Sequence, residues 1–276
     1  MTPTMTQWSY RTGGQAPRID QKVLYLTIND APSRRFLQKI EFLEERRVPA
    51  FFFCIGTHIE KHRDEVIAAV KRVCQIGNHS YSHRRFSQLS FYECSAEIQR
   101  CEDIIDDIYA DAGVARTCRL FRFPFGDKGW DRKVRLPKRP LKALAERLER
   151  RLSWALSRRF CRRLQLHLAA NGYSQPPWPA TLTDYYQAAG LACDHDVYWT
   201  FDSQDYRFQG PSSFGDWLRD GDYQEVFLGH RHRRGRLFGD QAADVLLAHD
   251  YDDNFHQMRE LVDLCIEDGA HFESLV

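Results

Sequence analysis

No stretch of this chain is apolar for long enough to span a membrane, which excludes a helical membrane protein. Residues 1–20 are polar and carry Pro and Gly, with no apolar core of the kind that begins an export signal. The eight cysteines show no C-x-x-C spacing, so neither a zinc ribbon nor a dithiol redox motif is indicated. Reduced thiols in a cytoplasmic protein are the expectation that follows. The chain also lacks a charge of one sign. A formal net charge of +1 over 276 residues argues against a protein built as a whole for nucleic acid. What remains is an ordinary apolar fraction on a length ample for a buried core.

The first positive signal is Gly77-Asn78-His79-Ser80-Tyr81-Ser82-His83. Histidines four apart come together on one face of a helical turn, and neutral imidazole is a common ligand for zinc and its neighbours. A catalytic metal site usually takes three protein ligands, so a carboxylate is needed as well. Leu26-Thr27-Ile28-Asn29-Asp30 supplies a candidate at the end of a buried strand, Val23 to Ile28. The pattern continues with a helix from about Arg34 to Arg47, a strand from Ala50 to Ile55 and a helix from about Lys61 to Cys74. A short strand ending at Gly77–His79, a helix from about Tyr92 to Tyr109 and a strand at Leu120–Phe123 follow. Strands alternating with helices predict a parallel sheet, open or closed, with the working residues at the strands' C-terminal ends. Asp30, His79 and Arg122 all fall there.

With those residues in place, the chain resembles the polysaccharide deacetylases of carbohydrate esterase family four, the NodB-homology domain. Five motifs stand in order: T-I-N-D-A-P (27–32), H-S-Y-S-H (79–83), R-F-P-F-G (122–126), W-T-F-D-S-Q-D-Y (199–206) and L-A-H-D (247–250). The resemblance covers roughly residues 20–126 and 181–275. It implies a distorted (β/α) barrel of about seven parallel strands, here a single domain from 21 to 276 after a lead segment, 1–20. It implies Asp30, His79 and His83 as ligands of a divalent ion, zinc first. His249 becomes the general acid with Asp205 as its partner, and the backbone amide at Phe125 an oxyanion donor. Tyr206 and Leu247 wall a small acyl pocket. Without the motif order the bland readings stand: Arg122 in a surface ion pair, Leu247 in the core, Asp202 capping a turn, Asp250 solvated.

One position departs from the family pattern. Its catalytic base is the first carboxylate of the first motif, steadied by the counterpart of Arg122, and here that position is Asn29. An amide accepts no proton near neutral pH. Three readings stay open: another base such as Asp202 or a nearby histidine, a pseudoenzyme that still binds metal and glycan, or a substitution introduced to trap a complex.

Between the third and fourth motifs lies a basic insertion at about 127–178. From Asp127 to Ala170 it holds fourteen Lys/Arg against four Asp/Glu. Leu141, Leu144, Leu148, Leu152, Ala155, Leu156, Phe160, Leu164 and Leu168 recur at steps of three and four, which predicts a long amphipathic helix with Trp154 near its middle. Pro137 and Pro140 set its start and Asn171-Gly172 its end. The bland reading is a helix packed on the barrel with a solvated basic face. The sharper one is an interfacial helix on an anionic membrane surface, close to a lipid-linked sugar. Nothing aromatic-rich supports nucleic acid. The expectation is therefore a metal-dependent hydrolase removing N-acetyl or N-formyl groups from a cell-envelope glycan precursor. It would be cytoplasmic, at most peripheral on the inner face of the membrane.

Overall fold

The computed structural model describes residues 22–72, 74–130, 142–208, 226–227, 230–231 and 243–276. The lead segment 1–20, together with Pro137, Pro140 and Leu141, lies outside them. The architecture is a parallel α/β sheet with helices against its outer face. Strands β1 (Val23–Ala31), β2 (Ala50–Cys54), β3 (Gln75–Asn78), β4 (Phe201–Asp202), β7 (Ala243–His249) and β8 (His271–Phe272) form the sheet, in the order β3-β2-β1-β7-β4 with β8 also pairing β1. A separate antiparallel pair is made by β5 (Val226–Phe227) and β6 (His230–Arg231).

Alternation along the strands sorts two cores. Leu24, Leu26 and Ile28 of β1, with Phe52, Leu246 and Ala248, pack under α1 (Phe36–Glu45) and a C-terminal helix, α7 (Phe255–Glu267). The other face carries Val23 and Tyr25 with Phe51, Phe53, Leu120, Val197 and Val245. Successive side chains of a strand point to opposite faces, so this inner series continues along β1 as Thr27 and Asn29. Each aliphatic side chain buried in this way stabilises the fold by about 1.5–3 kcal/mol relative to leaving it exposed.

The strand expected at Leu120–Phe123 is reduced to one parallel bridge, Phe121 to Asn78. Irregular backbone takes over from there. Val197 donates to the Phe121 carbonyl at 2.8 Å and Thr200 to that of Val245 at 2.9 Å, so residues 197–202 lead from one sheet edge toward the other. Among the described residues the barrel is not closed by continuous strands. The helix expected from about Lys61 to Cys74 is α3 (Arg63–Lys71), and a short helix not expected, α2 (Gly56–Lys61), precedes it with the break at His62. Helix α4 (Phe91–Ala112) starts at a capping box between Ser90 and Glu93 and stops at Gly113, whose φ of 67° a glycine adopts without strain.

The insertion forms α5 (Lys142–Ala170), followed by α6 (Ala180–Ala188). Among the described side chains of α5, the core packing lies in its C-terminal half: Leu164 and Leu168 join Phe86, Ile98, Phe121 and Tyr173 in a third core. The expectation of one continuous apolar face therefore fails. A residue turns about 100° around a helix, so repeated steps of four drift about 40° each. From Leu152 to Leu168 the row winds nearly to the opposite side. Among the described residues, no helix is long and apolar enough to cross a membrane.

Candidate active site

The site lies at the C-terminal ends of β1, β3 and β7. Asp30 sits in the last turn of β1 with a φ of 63°, a left-handed conformation that Asp tolerates better than most residues. His79 follows β3 directly. The helical turn expected to bring His79 and His83 together is absent. A loop does it instead, with Ser80 and His83 both at positive φ, 67° and 55°. The outcome is the one sought: Asp30 Oδ1 lies 3.3 Å from His79 Nε2 and 3.1 Å from His83 Nε2.

Hydrogen bonding decides what these atoms present. His79 Nδ1 lies 2.8 Å from the Arg122 carbonyl, which fixes the proton there and leaves the Nε2 lone pair facing Asp30. Asp30 Oδ1 and His79 Nε2 are both buried without a hydrogen-bond partner. Two acceptors in buried contact are unfavourable unless a cation sits among them. Burial holds the His79 imidazole below its usual pKa, in the neutral form a metal requires. Burial alone would raise the Asp30 carboxyl; imidazole N–H groups donating to it would hold it well below the usual range, and a cation at the same place does so without those protons. The donor set Asp30, His79 and His83, with ligand atoms within 4.8 Å of one another, fits a divalent ion.

Across the cleft, Asp205 Oδ1 lies 2.7 Å from His249 Nδ1, while its Oδ2 accepts from the His249 amide and from Asn254 Nδ2. Burial would lower the His249 pKa. The Asp205 carboxylate overcomes it and lifts the imidazole to about 9. Tyr206 sets its ring edge-on to His249, with centroids 5.4 Å apart, and stays half exposed. Leu247 is buried on β7, opposite Thr27 of β1 and Asp202 of β4. Phe125, at φ 57°, is exposed at the rim, its ring 4.5 Å from that of His83 and under the Arg85 guanidinium.

Arg122 is buried, not on the surface. Its Nε donates to the Val197 carbonyl, and Nη1 to Thr27 Oγ1 and Asn29 Oδ1, between the rings of Phe53 and Trp199. Desolvation without a hydrogen-bonded carboxylate pushes its pKa down to about 10, so it remains a cation at neutral pH. Asp202, beyond accepting from the Gln204 amide, has its carboxyl raised by burial. Asp250 is not solvated: Lys39, Ser33 Oγ and the Ser33 amide all donate to it in the core.

Comparison with known proteins bears on this arrangement directly. Residues 17–141 match the family model described as polysaccharide deacetylase. Over that stretch the chain is similar to polysaccharide deacetylases. It is similar to the peptidoglycan-N-acetylmuramic acid deacetylase PdaC of Bacillus subtilis, 32% identical over 39% of this chain and 22% of the relative. A peptidoglycan-N-acetylglucosamine deacetylase of Bacillus cereus is 32% identical over 37% of this chain and 36% of its own. The matches thus span well under half the length of these relatives. The solved structure of PdaC superposes with a TM-score of 0.52 over 92% of this chain and 87% of that one, at 18% identity. A Bacillus anthracis protein described as a family-four carbohydrate esterase pseudoenzyme gives a TM-score of 0.51 over 92% of this chain and 63% of that one, at 17% identity. At such identities the superpositions speak for the fold.

Two residues of this site escape a reading by motif. Tyr251 donates its hydroxyl to Asp30 Oδ2 at 2.9 Å, and its ring lies parallel to that of His249, centroids 5.4 Å apart. It steadies the carboxylate so that Oδ1 faces the imidazoles, and joins the metal side of the cleft to the acid side. His58, at the start of α2, places Nδ1 3.1 Å from the Asp30 carbonyl. The only sequence signal for Tyr251 is its place two residues after His249.

Proposed function

We propose that this protein is a metal-dependent N-deacetylase of an N-acylated glycan, built as one deacetylase-like domain from 21 to 276 with a basic helical insertion at about 127–178. The observation that carries the reading is the buried convergence of Asp30 Oδ1 with the imidazoles of His79 and His83. A divalent transition ion held there, zinc first, would supply the Lewis acidity that polarises an amide carbonyl. Asp205 holds the proton on His249 Nδ1, so the opposite nitrogen delivers its proton to the leaving amine. The Phe125 amide serves as donor to the developing oxyanion. Leu247 and Tyr206 accommodate the acyl methyl. Asn29 cannot act as a base, and Asp202, its carboxyl raised by burial, is the candidate for accepting a proton from the attacking water. The relatives' names point to peptidoglycan-type amino sugars as the first substrates to try, with N-formyl groups beside N-acetyl.

A second reading is favoured by one observation. Arg122 pairs with an amide where a base would stand, which suits a protein that binds metal and glycan without turning them over. Acetate and formate release from N-acylated oligosaccharides and lipid-linked amino sugars, with and without added zinc, separates the two. Metal-dependent release that is lost in His249→Ala supports the hydrolase. Binding of the same sugars with no release supports the silent relative.

A further inference from the structure

Among the described residues, nothing packs over Leu148, Leu152 and Leu156 of α5. They stand 47%, 39% and 50% exposed, and Trp154 59%. At about 100° per residue, Leu148, Leu152, Ala155 and Leu156 share one stripe. That stripe faces away from the side on which Ser157, Cys161, Leu164 and Leu168 are buried. Arg147, Arg151, Arg158 and Arg162 fill the neighbouring arc. All four are exposed, and none pairs with a carboxylate among the described residues. From Arg147 to Arg163 the helix holds seven arginines against Glu149 alone. Core packing explains the C-terminal half of α5. It does not explain leucines projecting into water beside a row of arginines.

We infer that the exposed half of α5 docks on an anionic lipid surface, with the leucine stripe entering the headgroup boundary and the arginines meeting lipid phosphates. The chemistry selects this partner over two others. A second copy of the chain would cover the leucines only by bringing two strongly cationic helices together. A nucleic acid would satisfy the arginines yet leave the leucine stripe in water. Lipid satisfies both, since guanidinium groups reach headgroups while their stems lie along acyl chains. The helix is also tied to the cleft. Cys161 Sγ donates to the Lys128 carbonyl at 2.7 Å, and Lys128 follows closely on Phe125 at the rim of the site. A surface-bound α5 therefore holds the cleft beside the membrane.

The test is co-sedimentation of the full chain with vesicles of phosphatidylcholine alone or doped with phosphatidylglycerol. Binding is expected at least about ten-fold stronger to the anionic vesicles and to fall as salt rises. The triple variant Leu148→Gln, Leu152→Gln, Leu156→Gln and the pair Arg147→Glu, Arg151→Glu should each lose it. An exposed apolar change elsewhere, Ile266→Gln, should not. These positions are solvent-facing, so unchanged circular dichroism is expected throughout. Equal binding to neutral vesicles overturns the inference, as does full binding by the triple variant. A dimer in sedimentation velocity that the triple variant abolishes, or duplex DNA bound as tightly as the vesicles, also overturns it.

Discussion

Arg122 Nη1 donates to the Asn29 side-chain oxygen at 3.1 Å, and among the described residues no carboxylate hydrogen-bonds this buried guanidinium. A cation that deep is costly unless it is paired, and here an amide oxygen, a hydroxyl and a backbone carbonyl share it. The position opposite Arg122 is therefore electrostatically ready for an anion.

Asn29→Asp supplies that anion at nearly equal volume. With Arg122 beside it the carboxylate stays ionised. Deacetylation at pH 7 should rise by about ten-fold or more, the lower part of what a positioned base contributes. Initial rates of parent and variant on one substrate check it. A slower variant would place the base elsewhere and make Asp202→Asn the next measurement.

His79→Ala combined with His83→Ala leaves Asp30 as the lone donor of the set. Tight stoichiometric metal should be lost, since each ligand removed takes a full coordination bond with it. Elemental analysis after dialysis reads this directly. Stoichiometric metal surviving in the double variant would refute the assignment.

Tyr251→Phe keeps the ring beside His249 and deletes the hydroxyl that Asp30 Oδ2 accepts. Outer partners of metal ligands typically tune affinity by about 10–100-fold. Zinc affinity by chelator competition should weaken by about ten-fold, with melting of the metal-free protein little changed. Unchanged zinc affinity would leave Tyr251 a packing residue only.

The His249 imidazole, lifted by Asp205 to about 9, sets the basic limb. A general acid works while protonated, so the rate should hold through neutral pH and fall as pH rises through about 9. The same shift from an ordinary value near ~6.5 stabilises the fold fully below that value, and the stabilisation is lost through 9. Asp205→Asn should move the limb to lower pH. A limb that stays put would separate it from this pair.

Lys39, fully buried, donates to Asp250, Asn254 Oδ1 and the Tyr251 carbonyl. Lys39→Met strands a buried carboxylate and should destabilise the protein by about 3 kcal/mol or more in urea unfolding. A loss within a few tenths would mean that Ser33 alone satisfies Asp250.

Much of this was legible in the chain because strand ends and polar residues coincide. Val23–Ala31 reads as a buried strand by its β-branched and aromatic run, and Asp30 ends it. Asp205 and His249 meet as the motif order implied. Local rules failed where backbone left the common regions. The His79–His83 spacing suggests a helical turn, yet Ser80 and His83 take left-handed conformations that spacing does not encode. Leu120–Phe123 reads as a strand but forms a single bridge, since the edge it joins is completed by irregular backbone at 197–202. On α5 the leucine count was right and the face wrong, because steps of four wind around the cylinder. Lys39 carried no signal and Tyr251 only its place two residues after His249, since their partners are distant in sequence.

The pairing of β1 with β7 sets Asn29 directly against His249. Asp30, His79 and His83 come from the N-terminal third of the chain, whereas His249 and the tyrosine that steadies Asp30 come from β7 and the loop beyond. During synthesis, then, the two halves of the chemistry arrive at different times. A nascent chain that has not delivered Ala243–His249 presents the two histidines and Asp30 without a proton donor, and β1 stands as an open edge. The Asp30–imidazole cluster and the His249–Asp205 pair therefore come together only when β7 docks against β1.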